Sequence, residues 1–217
     1  MPKPTFFRLP EEKRMRLVKA AYAEFTRAPF ADASISNIIK DAGIPRGSFY
    51  QYFEDKGDIF FYLLDRMRES TTAALQGMLA KHNGDLFPSV TDLFDMIINE
   101  LADGPYAAFY QNVFMYMDFH SAAKISPGVD ANAHKPKGHE VIDYMMNNVD
   151  RSNLRVDSDR QLRMLIRQVM GMFMQTVGSY YNHLGKGETV SAQELKKRVA
   201  QLLDWLQYGA VKEAPHD

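Results

Sequence analysis

Apolar residues recur three and four positions apart along most of the chain rather than two, and no alternating run is bounded by hairpin turns. The pattern predicts an all-α protein. The first helix opens at Pro10, with Glu11 and Glu12 near the positive end of its dipole. Its apolar stripe is Met15, Val18, Ala21, Tyr22 and Phe25. Ala28-Pro29 ends it, because proline disfavours helical geometry in the residue before it and has no N–H to give. Ser34 caps a second, short helix carrying Ile35, Ile38, Ile39 and Ala42, and Gly43 stops it. Ile44 re-enters the core, and Pro45 starts a third helix whose polar face shows Arg46, Ser48 and Gln51. Asp55, with Asp58 three positions on, caps a long fourth helix through IFFYLLDRMRESTTAALQGML. Further helices are expected at about 89–102, 105–120, 137–149, 158–184 and 191–209. Asp103-Gly104-Pro105 breaks the first pair, and the run from Ser126 to His139 has the proline, glycine and polar content of a loop.

Two short helices joined by a turn that begins with glycine form the helix-turn-helix pattern, whose second helix fits the major groove of DNA. A helical hairpin buried in a bundle has the same spacing, so other features must decide. Charge is one. Residues 1–56 hold 10 Lys and Arg against 7 Asp and Glu, a net of +3, whereas residues 57–217 hold 16 against 20, a net of −4. A basic segment joined to an acidic body suits contact between the first part and a polyanion. Composition is that of a folded protein, at 46% hydrophobic and 24% charged residues. With no cysteine, disulfides and thiolate chemistry are excluded, which fits a reducing cytoplasm. The charged N-terminal run MPKPTFFRLPEEKRMRL and the lack of any window of ~18 apolar residues lead us to expect neither secretion nor membrane insertion.

Across Ser34 to Ile59, the run SISNIIKDAGIPRGSFYQYFEDKGDI resembles the DNA-binding domain of the TetR family of transcriptional regulators. The matching positions are Ser34, Ile38, Ala42, Gly43, Ile44, Arg46, Gly47, Tyr50, Phe53 and Lys56. Departures are Pro45 in place of a serine cap, Ile39 for a small residue, Gly57 for an acid, and Ala28-Pro29 where glycine commonly ends the first helix. The resemblance implies that Tyr50 offers its hydroxyl to a phosphate, that Lys56 adds a charge, and that Gly47 lets the backbone approach the duplex. Arg46, Ser48 and Gln51 are then the candidates for base edges, since arginine pairs with guanine and glutamine with adenine in the major groove. Ser36 and Asn37 are candidates for phosphate contacts. Tyr52 is divided between a DNA role and packing, while Phe49 and Phe53, four apart, belong to the core.

The expected domains are 1–56 for DNA binding and 57–217 for effector binding and dimerisation, joined by the long fourth helix. The segment YAAFYQNVFMYMDFH crowds Tyr106, Phe109, Tyr110, Val113, Phe114 and Met117 onto one helix. With Phe94, Ile98 and Leu101, and with Tyr144, Met145, Phe173 and Thr176, they are candidates to line a cavity for a small apolar or aromatic effector. The same stripes at helical spacing also suit plain core. The helix from Ser158 is apolar on nearly all sides, so it must be buried on all sides. One side can face its own core and another a second subunit. Met170, Met174, Val177 and Tyr181 are the interface candidates there, with Leu195, Val199, Leu202, Trp205 and Leu206 from the last helix. The resemblance implies a four-helix interface between two subunits. A twofold dimer would present two recognition helices to the half-sites of a palindromic operator.

An enzyme is the rival class. His120, His134 and His139 lie near Asp118, Asp130 and Glu140, but the spacing fits no short metal-ligand pattern. No phosphate-binding glycine loop or nucleophile elbow occurs. A helical adaptor without DNA activity would leave Arg46, Tyr50, Gln51 and Lys56 unexplained on one surface. The expectation is a homodimeric repressor, cofactor-free, released from its operator by a small molecule. The alternative is a small-molecule-binding helical dimer with enzymatic or adaptor activity and no operator.

Overall fold

The structure is a computed structural model and describes residues 2–116 and 138–210. Among the described residues the chain is helical, without a strand. The helices are α1 (Pro4–Phe7), α2 (Glu11–Arg27), α3 (Ile35–Ala42), α4 (Arg46–Tyr52), α5 (Lys56–Lys81), α6 (Leu86–Asp103), α7 (Ala107–Tyr116), α8 (Gly138–Asn148), α9 (Asp159–Gly185) and α10 (Ala192–Tyr208).

Several helix starts follow from capping chemistry. The Ser34 and Ser158 hydroxyls accept the N–H groups of Ser36 and Gln161 at the starts of α3 and α9. Ser191 and Glu194 form a reciprocal capping box on α10. At the start of α5, the Asp55 carboxylate accepts the Asp58 N–H at 2.9 Å, and Asp58 accepts the Glu54 N–H at 3.0 Å. Two elements differ from expectation. The sequence pattern places the start of α6 at about residue 89, after Pro88, but the helix begins at Leu86. Proline is tolerated in a first turn, where its missing N–H has no helical partner to lose. The other difference is α1, a four-residue helix with Pro4 at its start and Phe6 fully buried.

The described residues form two compact units. The first comprises 2–70 and 103–116, hence α1 to α4, the first part of α5, and α7. Its core holds Leu17, Ala21, Phe25, Ile38, Phe49, Phe53 and Ile59. Phe60 meets Phe25 edge to face at 4.9 Å. The second comprises 71–102 and 138–210. Its core holds Leu75, Leu86, Val90, Phe94, Ile98, Met145, Leu162, Ile166, Val169 and Leu203. The boundary between these compact units lies within α5, at Ser70 and Thr71, and α7 belongs to the first unit. In the second unit, Gly84 joins α5 to α6 with φ +84°, and its carbonyl accepts the Asp150 N–H at 2.9 Å.

Candidate nucleic-acid interface

The turn between α3 and α4 is set by Gly43, whose φ of 65° and ψ of 39° place it in the left-handed region that favours glycine. Its N–H bonds back to Lys40 O, and the Ile44 N–H reaches Ile39 O at 3.0 Å, which closes the end of α3 as a Schellman motif. Pro45 then starts α4 without any side-chain cap. Phe49 and Phe53 are both fully buried, with ring centroids 5.5 Å apart, and fix which side of α4 turns inward.

Behind this pair of helices lies a polar knot. The Glu24 carboxylate of α2, only 2% exposed, accepts the Ser34 N–H at 2.7 Å and the Asn37 amide at 3.1 Å. Arg27 donates to it through Nε at 3.0 Å and Nη2 at 2.6 Å. Burial alone would raise the Glu24 carboxyl, but the hydrogen bonds from Arg27, the Ser34 N–H and Asn37 outweigh it and hold the group below the ordinary carboxylate range. The knot ties the last turn of α2 to the first turn of α3.

With the inward side fixed, Arg46, Gly47 and Gln51 are exposed on α4, Tyr50 is 41% exposed, and Ser48 is half-buried. The Tyr50 ring stands edge-on to Phe49 at 5.5 Å. A Cβ added at Gly47 would meet nothing within 4 Å, so the chain's own packing does not require glycine there. Ser36 is exposed at the start of α3.

Three of the expected DNA-contacting residues are engaged within the chain. Asn37 gives its amide hydrogens to Glu24. The Lys56 ammonium donates to Ala31 O at 3.0 Å and Ala33 O at 2.8 Å, and lies 4.8 Å from the centre of the Phe30 ring. Burial lowers the lysine below its ordinary range, opposed by Asp32 and Glu24. Lys56 therefore clamps the α2–α3 loop. Tyr52 is half-buried and faces Phe6 of α1, ring centroids 6.5 Å apart.

The expected effector-lining residues divide between the two units. In the first, Tyr106 stacks on Tyr22 at 4.1 Å, and Phe109 meets Tyr22 at 5.2 Å and Phe60 at 5.9 Å. Tyr110 and Val113 are buried and Phe114 half-buried there, while Met117 lies outside the described residues. Asn112 of α7 donates to Phe25 O at 2.9 Å and Thr26 O at 3.1 Å, satisfying two carbonyls at the end of α2. In the second unit, Phe94 and Phe173 lie parallel with centroids 4.0 Å apart, and Ile98, Leu101, Met145 and Thr176 are buried. The Thr176 hydroxyl donates to Met172 O within its own helix, and Tyr144 is half-buried. A separate cleft of about 200 Å³ between α9 and α10 is lined by Tyr180, His183, Thr189, Val190, Glu194 and Arg198, together with Leu195.

The expected dimer residues also separate into two sets. Val177, Tyr181, Leu195 and Val199 are buried inside the single chain, because α9 and α10 turn these positions toward the unit's own core. In the single chain each is 1–3% exposed. Met174 and Trp205 are each 49% exposed, Tyr208 is 75% exposed, and Met170, Leu202 and Leu206 are half-buried. Among the described residues there is no group of three or more metal-ligating side chains and no helix long and apolar enough to cross a membrane. The acid and histidine cluster from Asp118 to Glu140 has no described side chain.

A glycine-turned helix pair that buries two phenylalanines and leaves arginine, glycine, tyrosine and glutamine outward defines a helix-turn-helix protein built to meet DNA. The sequence matches the profile described as "Bacterial regulatory proteins, tetR family" over residues 17–63 and that described as "Tetracyclin repressor-like, C-terminal domain" over residues 85–210, and the chain belongs to the TetR family of transcriptional regulators. It is 44% identical over 68 residues to the uncharacterised HTH-type transcriptional regulator YdgC of Bacillus subtilis (strain 168), a match covering 30% of this chain and 35% of that protein. The curated relatives are thus matched over about a third of their length. Among solved structures, a TetR family transcriptional regulator from Chloroflexus aurantiacus J-10-FL is similar at a TM-score of 0.54 and 26% identity, over 96% of this chain and 98% of that one. FadR from Bacillus subtilis, solved in complex with stearoyl-CoA, shares the fold at a TM-score of 0.62 and 17% identity, over 91% and 99% of the two chains.

Proposed function

We propose that the protein is a homodimeric repressor that acts in the cytoplasm and leaves a palindromic operator when a small apolar or aromatic effector binds. The observation that carries the DNA part is the outward face of α4, where the side of Arg46, Gly47, Tyr50 and Gln51 is exposed while Phe49 and Phe53 hold the helix from behind. Arg46, Ser48 and Gln51 read base edges, and Tyr50 and Ser36 hold phosphates. The Gly47 site, open around its missing Cβ, gives the duplex room to come close.

Support for dimerisation comes from α9. Gly171 and Gly178 lie inside this helix, and a Cβ at either would meet nothing within the chain. A glycine in a helix interior costs about 1 kcal/mol relative to alanine, so two at a spacing of seven call for a reason outside the chain. Close approach of a second copy's helix supplies one, with exposed Met164, Met174, Trp205 and Tyr208 as the apolar surround. For effector sensing each unit is taken by itself, with Phe94, Phe173 and Met145 the candidates in the second and the aromatic residues of α7 those in the first. Because α7 packs on α2 within the first unit, a ligand that shifts α7 acts directly on the DNA-binding unit.

The test begins with selection of bound sequences from random DNA, followed by a screen for compounds that release the protein. Changing Arg46, Tyr50 and Gln51 together to alanine should abolish selective binding, and full retention of operator affinity would show that another surface is used. Gln51→Ala alone should cost about 1–3 kcal/mol at particular base pairs. Tyr50→Phe should weaken binding to every sequence alike.

A further inference from the structure

Helix α4 has seven residues, so its last four carbonyls form more than half of its backbone acceptors. Many helices close this end with a left-handed glycine. Here the following residue, Phe53, is extended, with φ −130° and ψ 149°, and its N–H satisfies only Phe49 O. The remaining three carbonyls are met by residues nearly fifty positions earlier. The Lys3 ammonium donates to Tyr50 O at 2.9 Å, the Thr5 hydroxyl donates to Gln51 O, and the Lys3 backbone N–H donates to Tyr52 O at 2.8 Å. Phe6 anchors the donors, fully buried with its ring 4.9 Å from Phe53 and 5.1 Å from Tyr62.

We propose that the segment from Lys3 to Phe6 is a C-terminal cap supplied from outside the recognition helix, and that Lys3 and Thr5 are positioning residues for DNA recognition by α4. The inference rests on the DNA-reading role proposed above. An isolated two-turn helix is marginal in water, and fraying at this end would swing the side chains of Tyr50 and Gln51, the residues whose carbonyls are held. The Lys3 charge also sits at the negative end of the α4 dipole, where a cation is favourable. Its ammonium thus acts on the helix rather than on a phosphate. The cap makes no base contact, yet it determines where the base-reading side chains point.

The experiment uses the full-length protein carrying Lys3→Met and Thr5→Val together, which removes both side-chain donors and keeps the Lys3 backbone N–H. Two readouts are taken, amide hydrogen exchange at Tyr50 to Phe53 without DNA, and affinity for selected operator and for unrelated DNA across a salt series. The cap predicts exchange faster by about tenfold, and an operator-to-unrelated affinity ratio lower by about tenfold, with the slope of log affinity against log salt unchanged. Lys3→Arg with Thr5→Ser should restore both. A lower melting temperature with that ratio unmoved would overturn the positioning role. Unchanged exchange with a salt slope reduced by about one counterion would overturn the proposal and make Lys3 a phosphate contact. Unchanged exchange with unchanged DNA binding would also overturn it. If the wild-type protein selects no operator, the DNA-reading role fails, and the exchange measurement alone decides whether the cap exists.

Discussion

Replacing Glu24 by glutamine keeps the shape of a buried side chain and removes its charge. Two of its hydrogen bonds come from groups within the fold, the Ser34 N–H at 2.7 Å and the Asn37 amide at 3.1 Å. A hydrogen bond to a charged group contributes about 1.5–3 kcal/mol and a neutral one about 0.5–1.5 kcal/mol, so each loses on the order of 1 kcal/mol. The amide must also present NH₂ toward either Arg27 or Asn37, both donors. The Arg27 pair is left out of the sum because that side chain is mostly solvated and its charge is screened. The expected loss is about 2–3 kcal/mol, or roughly 4–12 °C in melting temperature for a chain of this size. Urea titration followed by circular dichroism would measure it. Because the Glu24 carboxyl lies below its ordinary range in the folded protein, its contribution is complete above about pH 5 and fades as pH falls through the folded value. The gap between wild type and variant should therefore narrow as pH falls through the folded value. Equal stabilities at pH 7, or a gap that does not narrow on acidification, would refute the reasoning.

Lys56→Met should loosen the α2–α3 loop at a cost of about 1 kcal/mol, read as faster amide exchange around Ala31 to Ala33. Gly84→Ala should destabilise by about 1–3 kcal/mol in a thermal melt, because φ is +84° and the new Cβ would lie 2.8 Å from Asn148 O and 3.0 Å from the Asp150 nitrogen. Met174→Glu with Trp205→Glu should give monomers in sedimentation while leaving the far-UV spectrum intact, since both side chains are half exposed in the single chain. An unchanged sedimentation coefficient would remove α9 and α10 from the interface.

Helix boundaries written in local chemistry were legible in the sequence. Ser34, Gly43, Asp55 with Asp58, and Ser158 act within a few residues of where they stand, and the structure places each at a helix end. The inward pair Phe49 and Phe53 was legible for the same reason, as a spacing of four. What the sequence hides is the partner of a long polar side chain. Asn37 and Lys56 read as free hydrogen-bonding groups, yet Glu24 and the carbonyls of Ala31 and Ala33, brought close only by the fold, take them up. Helix α1 was missed because four residues carry no periodicity, although Pro4 followed by the apolar pair Phe6-Phe7 was a usable signal. The breadth of the apolar surface on α9 could be seen, but not that Val177 and Tyr181 point into its own unit while Met174 points out. Periodicity likewise marked the aromatic face of α7 without revealing that Tyr22 and Phe60 are its neighbours.

That last arrangement bears on how such a protein can be taken apart. By sequence, α7 lies within the stretch matched to the C-terminal family domain, yet its Tyr106 covers Tyr22 and its Asn112 finishes the end of α2. A fragment cut after residue 70 would strip the DNA-binding part of a wall of its own core. Exchange of sensory halves between regulators of this kind, by recombination or by design, would have to carry residues 103–116 with the recipient's α2 or rebuild the surface between them. The seam along which this chain can be recombined is therefore not the one that its order in sequence suggests.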